Sequence, residues 1–250
     1  MEKKLYVLWL IWQNQETRQR YHVGNLFHKN GKYTFSYELS GKRRSLTEAM
    51  KNGYKPHLSF RDVKKTYVSD RLFGPFARRL PDKRRLDFND ILKDNGLSQD
   101  YTEMDLLRAT GGRLATDPYE FVYPISVFDD HFYFDFFIAG WRYYDGDNIE
   151  NQLQVGKNVN FELEPANKED NKAVIVLSDN KKHKLGYIPA FYSGFMFDVI
   201  RNNEVYEAKI EKINPYAKPQ LKVNISIVGR LTNGFSTTDR EHVEPIQILV

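Results

Sequence analysis

Apolar positions along the first part of the chain fall at strand spacing. Leu5–Trp12 is an unbroken run of eight apolar residues, long enough for a strand and far short of the roughly 20 that span a bilayer. A polar turn follows over Gln13–Thr17, then a second strand-like run, Tyr21–Phe27. Asn30-Gly31 is a favoured hairpin turn pair, and Lys32–Tyr37 after it alternates, placing Tyr33, Phe35 and Tyr37 on one face. Ser45-Leu46-Thr47-Glu48 has capping-box spacing, with Gly53 as a stop. Pro75 and Pro81 bracket Phe76–Leu80, a short helix or turn dense in arginine. Asp87–Asn95 and Thr102–Thr110 read as helices ended by Gly96 and by Gly111-Gly112. The pattern predicts a small α+β domain over residues 1–125.

From Phe121 the texture changes. Phe132–Ile138 is almost wholly aromatic and apolar, the pattern of a central buried strand. Further strands are expected at Asn158–Leu163, Ala173–Leu177, Lys184–Ile188, Glu204–Ile213 and Leu221–Val228. One amphipathic helix, Phe191–Arg201, interrupts them. Short strands with one helix predict a small closed or partly open barrel over residues 132–228. The boundary is expected between Asp117 and His131, and residues 229–250 read as a C-terminal extension, a tail or a strand docking elsewhere. The fold class is α+β in two domains.

Composition narrows the chemistry. Zero cysteines exclude a disulfide scaffold, a thiolate nucleophile, Cys-ligated zinc and an iron–sulfur cluster. Hydrophobic residues at 41% and charged residues at 28% describe an ordinary soluble globular chain. Lys3 and Lys4 precede the apolar run, but Gln13-Asn14-Gln15 follows it with no small-residue cleavage site. That reads as a first strand rather than a signal peptide, and a cytoplasmic protein without membrane association is expected. The net charge of +4 hides an asymmetry: residues 1–121 carry 23 Lys/Arg against 15 Asp/Glu, and residues 122–250 carry 14 against 18. Lys42–Arg85 alone holds 14 basic and 4 acidic residues. Such a block predicts an acidic partner, nucleic acid being the commonest, through a patch of Arg43, Arg44, Lys64, Lys65, Arg78, Arg79, Arg84 and Arg85. The alternative is a solvated basic face that keeps the chain soluble.

Four stretches of the second half then fall into a pattern. Gly140-Trp141-Arg142-Tyr143-Tyr144 opens it and Leu153-Gln154-Val155-Gly156-Lys157 follows. Glu164-Pro165 next begins a run that ends in Asp170-Asn171-Lys172-Ala173-Val174, and Leu185-Gly186-Tyr187-Ile188-Pro189 closes the series. In this order, over about Phe132 to Val228, they resemble the HIRAN domain family. The resemblance implies an OB-like β-barrel that binds nucleic acid, in eukaryotic remodellers the 3′ end of single-stranded DNA. On that reading Arg142 pairs with a backbone phosphate, and Tyr143 and Tyr144 offer faces for base stacking. Asp170 accepts a hydrogen bond from a terminal 3′-hydroxyl, with Asn167 beside it, and Tyr187 walls the pocket. An architectural reading stands next to it. Asn167 and Asp170 are turn-capping types before a buried strand, and strand alternation would let at most one of Tyr143 and Tyr144 face a ligand. The sequence also departs from the family. Glu169 stands where a single-strand-binding member has a stacking aromatic, and Ala190 and Phe191 stand where a basic residue is expected. Residues 132–214 carry 10 basic and 13 acidic side chains, a poor balance for phosphate binding.

The first half resembles the N-terminal subdomain of HipA-type toxin kinases. Val23-Gly24-Asn25-Leu26 with Tyr33-Thr34-Phe35-Ser36-Tyr37 is similar to its opening, and Leu106-Leu107-Arg108-Ala109-Thr110-Gly111-Gly112 to a segment near its end. Leu72–Phe76 through Leu80-Pro81 matches loosely. No kinase body follows Gly112, so the resemblance implies a docking or regulatory module of a toxin–antitoxin kind.

No enzyme is expected. His22, His28, His57, His131, His183 and His242 show no metal-ligand spacing on a helix and read as surface or turn residues. Adjacent carboxylates in Asp129-Asp130-His131 would point to opposite faces of a strand. Glu207-Ala208-Lys209, with Asp198 upstream, has nuclease-like spacing, but alternating charge is also what a solvent-facing strand shows. No nucleophile elbow, Walker A or dinucleotide fingerprint is present, and no cofactor or metal is expected. The leading expectation is a non-catalytic DNA-binding accessory protein, recognising single-stranded DNA or a 3′ end through the barrel with help from the basic domain. It would act with a helicase or nuclease. The alternative is a protein-interaction module, antitoxin-like or a phage-derived inhibitor, whose partner is a protein such as a toxin kinase.

Overall fold

The computed structural model describes residues 5–41 and 43–232. The chain forms two compact units, dividing between Pro124 and Ile125. It is mixed α+β, with several antiparallel sheets and few helices. No helix among the described residues is long and apolar enough to cross a membrane.

The first unit is built on strands β1 (Tyr6–Gln13), β2 (Arg20–Lys29) and β3 (Lys32–Tyr37). Asn30 (φ +53°) and Gly31 (φ +77°) make the hairpin turn between β2 and β3, the geometry that matches strand twist. Tyr33, Phe35 and Tyr37 all face the core, as the alternation requires. Helix α1 (Leu46–Lys51) follows, then a 3-10 turn at Leu58–Phe60, strand β4 (Tyr67–Ser69) and the four-residue helix α2 (Gly74–Ala77). Helices α3 (Phe88–Asp94) and α4 (Glu103–Thr110) precede strand β5 (Tyr119–Val122). The sheet order is β4-β3-β2-β1-β5. Its core is aromatic, with Phe35, Phe60, Phe76 and Phe121 edge-to-face or tilted at centroid separations of 4.6–5.3 Å. Such pairs add about 0.5–1.5 kcal/mol each beyond their burial. The capping box expected at Ser45 does not form. Ser45 is the N-cap of α1, but its backbone bridges His22 in parallel and its hydroxyl is buried without a partner. The box forms instead at Thr102–Asp105, starting α4.

The second unit contains strands β6 (Ser126–Phe128) and β7 (His131–Phe137), and helix α5 (Gly146–Ile149) between two 3-10 turns. Strands β8 (Asn160–Glu164), β9 (Ala173–Leu177) and β10 (Lys184–Tyr187), helix α6 (Ala190–Arg201), and strands β11 (Val205–Ile213) and β12 (Val223–Arg230) complete it. The ladders make two sheets, β10-β9-β8 and β11-β12-β7-β6. Among the described residues they are joined by isolated bridges, Ala139 with Tyr187 and Asn158 with Lys209, so of the closed or partly open barrel expected, a closed one does not form. Strand β7 is not buried on both faces: Phe132, Phe134 and Phe136 are buried and the residues between them are half-covered. Helix α6 covers the buried row, with Phe195 5.2 Å from Phe132 and Tyr192 5.2 Å from Phe134. Strand β12 runs on to Arg230, past the expected end at Val228. The rest of the expected extension, residues 233–250, lies outside the described residues.

Gly186 sits against the backbone of the neighbouring chain segment. Its φ is +148°, and a Cβ there would lie 2.3 Å from the Ala139 carbonyl oxygen. Gly186→Ala is expected to cost about 3 kcal/mol and to lower the thermal unfolding midpoint by several degrees in a circular-dichroism melt. An unchanged midpoint would contradict this close approach.

Candidate nucleic-acid interface

The segment carrying Arg142, Tyr143 and Tyr144 is a turn rather than a strand. Gly140, at φ +78°, ends the run from β7, and Trp141–Tyr143 make one 3-10 turn. Trp141 anchors it from below. Its ring is buried, its indole N–H donates to Asp147 at 2.6 Å, and it lies so close to Gly146 that a Cβ there would sit 2.5 Å away. Lys222, just before β12, pairs with both Asp147 (3.3 Å) and Glu150. Because alternation does not apply in a turn, both tyrosines reach the surface side. Tyr143 is 69% exposed with the Arg142 guanidinium 4.7 Å from its ring centre, and Tyr144 is half-buried.

Tyr144 meets Tyr187 edge-to-face at 5.5 Å. Between the rings sits Lys184, its ammonium 4.5 Å from the Tyr144 centre and 4.2 Å from the Tyr187 centre. It donates to the Tyr187 hydroxyl at 2.6 Å, and that hydroxyl donates to Glu164 at 2.6 Å. The Asn167 amide also donates to Glu164, at 2.5 Å, and lies 3.3 Å from the Tyr187 oxygen. Simple alternation would put Lys184 and Tyr187 on opposite faces. The β-bulge between Lys184 and Gly186 brings them together. Sequence reasoning missed Lys184; the glycine inside a strand pattern was the signal for the bulge.

Asn167 and Asp170 organise the turn into β9. Asn167 Oδ1 accepts from the backbone N–H of Glu169 (2.9 Å) and of Asp170 (3.1 Å). Asp170 Oδ1 accepts from Lys172 N–H (2.9 Å), and its Oδ2 accepts from the Ser193 hydroxyl on α6 (3.2 Å). The structure thus joins Tyr144, Asn167 and Tyr187 into one network with Lys184 and Glu164. Asp170 is tied to it through Asn167, and Arg142 with Tyr143 stands exposed at the neighbouring turn.

The basic block of the first unit is not one patch. Arg44 is buried with its guanidinium 5.5 Å from the Tyr21 ring centre, and Arg79 is buried in an ion pair with Asp117 at 2.6 Å. Arg84 and Arg85 are exposed but neutralised by Asp82 and Asp87, each at 2.7 Å. Arg43 is half-buried, while Lys64, Lys65 and Arg78 are exposed. His22 is also not a surface residue: it is 2% exposed and stacked on Trp9 at 4.4 Å, because its strand is covered on both faces. His242 lies outside the described residues. Glu207 pairs with Lys209 (2.7 Å) and Asp198 with Lys172 (3.1 Å). Among the described residues no group of three or more His, Asp or Glu could hold a metal ion.

Hydrogen bonds from Asn167 and Tyr187, with the Lys184 charge, hold the Glu164 carboxyl below its usual range. Burial and the Tyr187 contact push the Tyr144 hydroxyl up to about 12. A depressed carboxyl pKa stabilises the fold above the unfolded value of 4.5 and ceases to do so as pH falls through the folded one. The unfolding midpoint of Glu164→Gln is therefore expected below wild type at pH 7, with the gap closing at the acid end of a pH series. A gap independent of pH would contradict the network.

Residues 131–232 match the family model described as HIRAN domain. The chain is similar to a solved Lactobacillus plantarum protein at 19% identity, covering 39% of this chain and 92% of that one, with a TM-score of 0.34. It is also similar to the HIRAN domain of human HLTF at 16% identity, covering 39% and 72%, with a TM-score of 0.30. No curated protein matches. The family model does not extend to the first unit, whose likeness to HipA-type kinases rests on its sequence motifs alone. Residues 131–232 of this chain are a HIRAN domain.

Proposed function

We propose that the chain is a non-catalytic accessory protein that binds single-stranded DNA at a 3′ end through its HIRAN domain, with exposed cations of the first unit adding attraction. The observation that carries this reading is the placement of the turn: Arg142 and Tyr143 are exposed beside a network holding Tyr144, Tyr187 and Asn167 in fixed positions. An exposed guanidinium suits a phosphate, and each stacked base is worth about 1–3 kcal/mol. Asp170 is oriented by Ser193 and Lys172 N–H, and a carboxylate accepts up to about four hydrogen bonds. It suits a terminal hydroxyl, a group that an internal nucleotide lacks. All three rings have a cation beside them, Lys184 at Tyr144 and Tyr187 and Arg142 at Tyr143, and Tyr143, 69% exposed, is the principal stacking face.

Over residues 131–232 the basic and acidic side chains are equal in number, 13 of each, which makes the attraction weak on its own. Glu169, exposed beside Asp170, adds negative charge next to the site. The reading is tested by fluorescence anisotropy with a labelled single-stranded oligonucleotide, its 3′ end free or blocked. Tighter binding of the free end is expected, with Asp170→Ala abolishing the preference and Arg142→Ala weakening both forms by about tenfold, near the 1.4 kcal/mol of one lost charge-assisted contact. Equal binding of the two ends, unaffected by Asp170→Ala, would defeat it.

A further inference from the structure

We propose that the surface around the Phe60 turn of the first unit is a second site, one that holds a nucleic-acid backbone irrespective of sequence or strand end, through Lys55, Arg61, Lys64, Lys65, Arg71 and Arg78. This deepens the function proposed above, on which it rests for nucleic acid as the polyanion. All six side chains are exposed, and none takes part in an ion pair among the described residues. Two carboxylates lie in the same stretch of chain. Asp62 accepts the Lys64 N–H to close a turn, and Asp70 is paired with Lys32 at 2.6 Å. The structure therefore separates buried arginines and neutralised arginines from exposed cations without an ion pair, these six among them, which the sequence alone does not do.

The surface is built over a packed aromatic cluster. Phe60 is 2% exposed, and its ring packs on Phe35, Phe73, Phe76 and Tyr67 at centroid distances of 4.6–5.3 Å. Lys65 stands 5.4 Å from the ring centre of Tyr67, a member of that cluster. Arg61 follows Phe60 directly in the chain and Arg78 lies two residues after Phe76, both exposed. The cations are thus attached to separate members of one aromatic cluster rather than converging on a point. A small anion needs convergent donors, whereas an extended polyanion gains from each separated charge.

The test uses the full chain and an oligothymidylate blocked at its 3′ end, titrated by anisotropy across a salt series. Lys64→Gln/Lys65→Gln/Arg78→Gln is expected to weaken binding by about tenfold or more and to reduce the log–log salt slope by about 2, at roughly 0.7 per lost contact. Arg84→Gln/Arg85→Gln should change neither, and Lys64→Arg/Lys65→Arg/Arg78→Lys should restore wild-type behaviour. A triple variant with wild-type affinity and slope would overturn the proposal, as would equal losses in the two glutamine variants. Displacement of the DNA by polyglutamate at equal charge concentration would assign the surface to an acidic protein and overturn it as well. The ratio of free-end to blocked-end affinity reports separately on end recognition, so failure of either reading is visible without the other.

Discussion

The second unit depends on one close approach between two backbones. Tyr187 N–H donates to the Ala139 carbonyl and Ala139 N–H to the Tyr187 carbonyl, both at 2.9 Å. These two bonds join the sheets at one end, and the bridge at Asn158, flanked by the Val159 N–H donating to the Ala208 carbonyl, joins them again. Only a glycine at 186 leaves room for the Ala139 oxygen. The same contact sets the site. It places the turn that starts at Gly140 beside Tyr187, and the bulge before Gly186 swings Lys184 to the side of Tyr187. A position that carries no side chain thus fixes the geometry of those that do.

Charge is distributed in a way that separates affinity from recognition. In the HIRAN domain the cations near the site are largely spoken for: Lys184 by Glu164 and two tyrosine rings, Lys222 by Asp147 and Glu150, Lys172 by Asp198. These pairs hold the site in shape and add little net positive potential. On the first unit, exposed cations without an ion pair among the described residues are grouped along the chain around the Phe60 turn. On this account long-range attraction and local discrimination reside in different parts of the chain, and salt weakens the first far more than the second.

Strand positions were legible where burial marks the sequence: β3, buried on one face, lies where period-two alternation put it, β9, buried on both, lies where its continuous apolar run did, and β12 is displaced by two residues from the expected span. The helix after Pro189 was equally legible. Three features were not. The Arg142–Tyr144 segment reads as strand, but Gly140 at positive φ and the buried Trp141 make it a turn. The pairing of Lys184 with Tyr187 needs a bulge that residue spacing does not reveal. The basic block counts arginines without showing that Arg79 has Asp117 beside it from 38 positions away, a contact made only by the tertiary fold.

The central claim is that one constellation, assembled by the Ala139–Tyr187 approach, receives a DNA strand end. Its most direct test is an amide chemical-shift titration of the protein with a short single-stranded oligonucleotide bearing a 3′-hydroxyl. The account predicts that the largest shifts in the HIRAN domain fall on Arg142–Tyr144, on Asn167–Asp170 and on Lys184–Tyr187, and that they shrink when the 3′ end is blocked. Shifts in that domain concentrated elsewhere, or unchanged by the block, would contradict it.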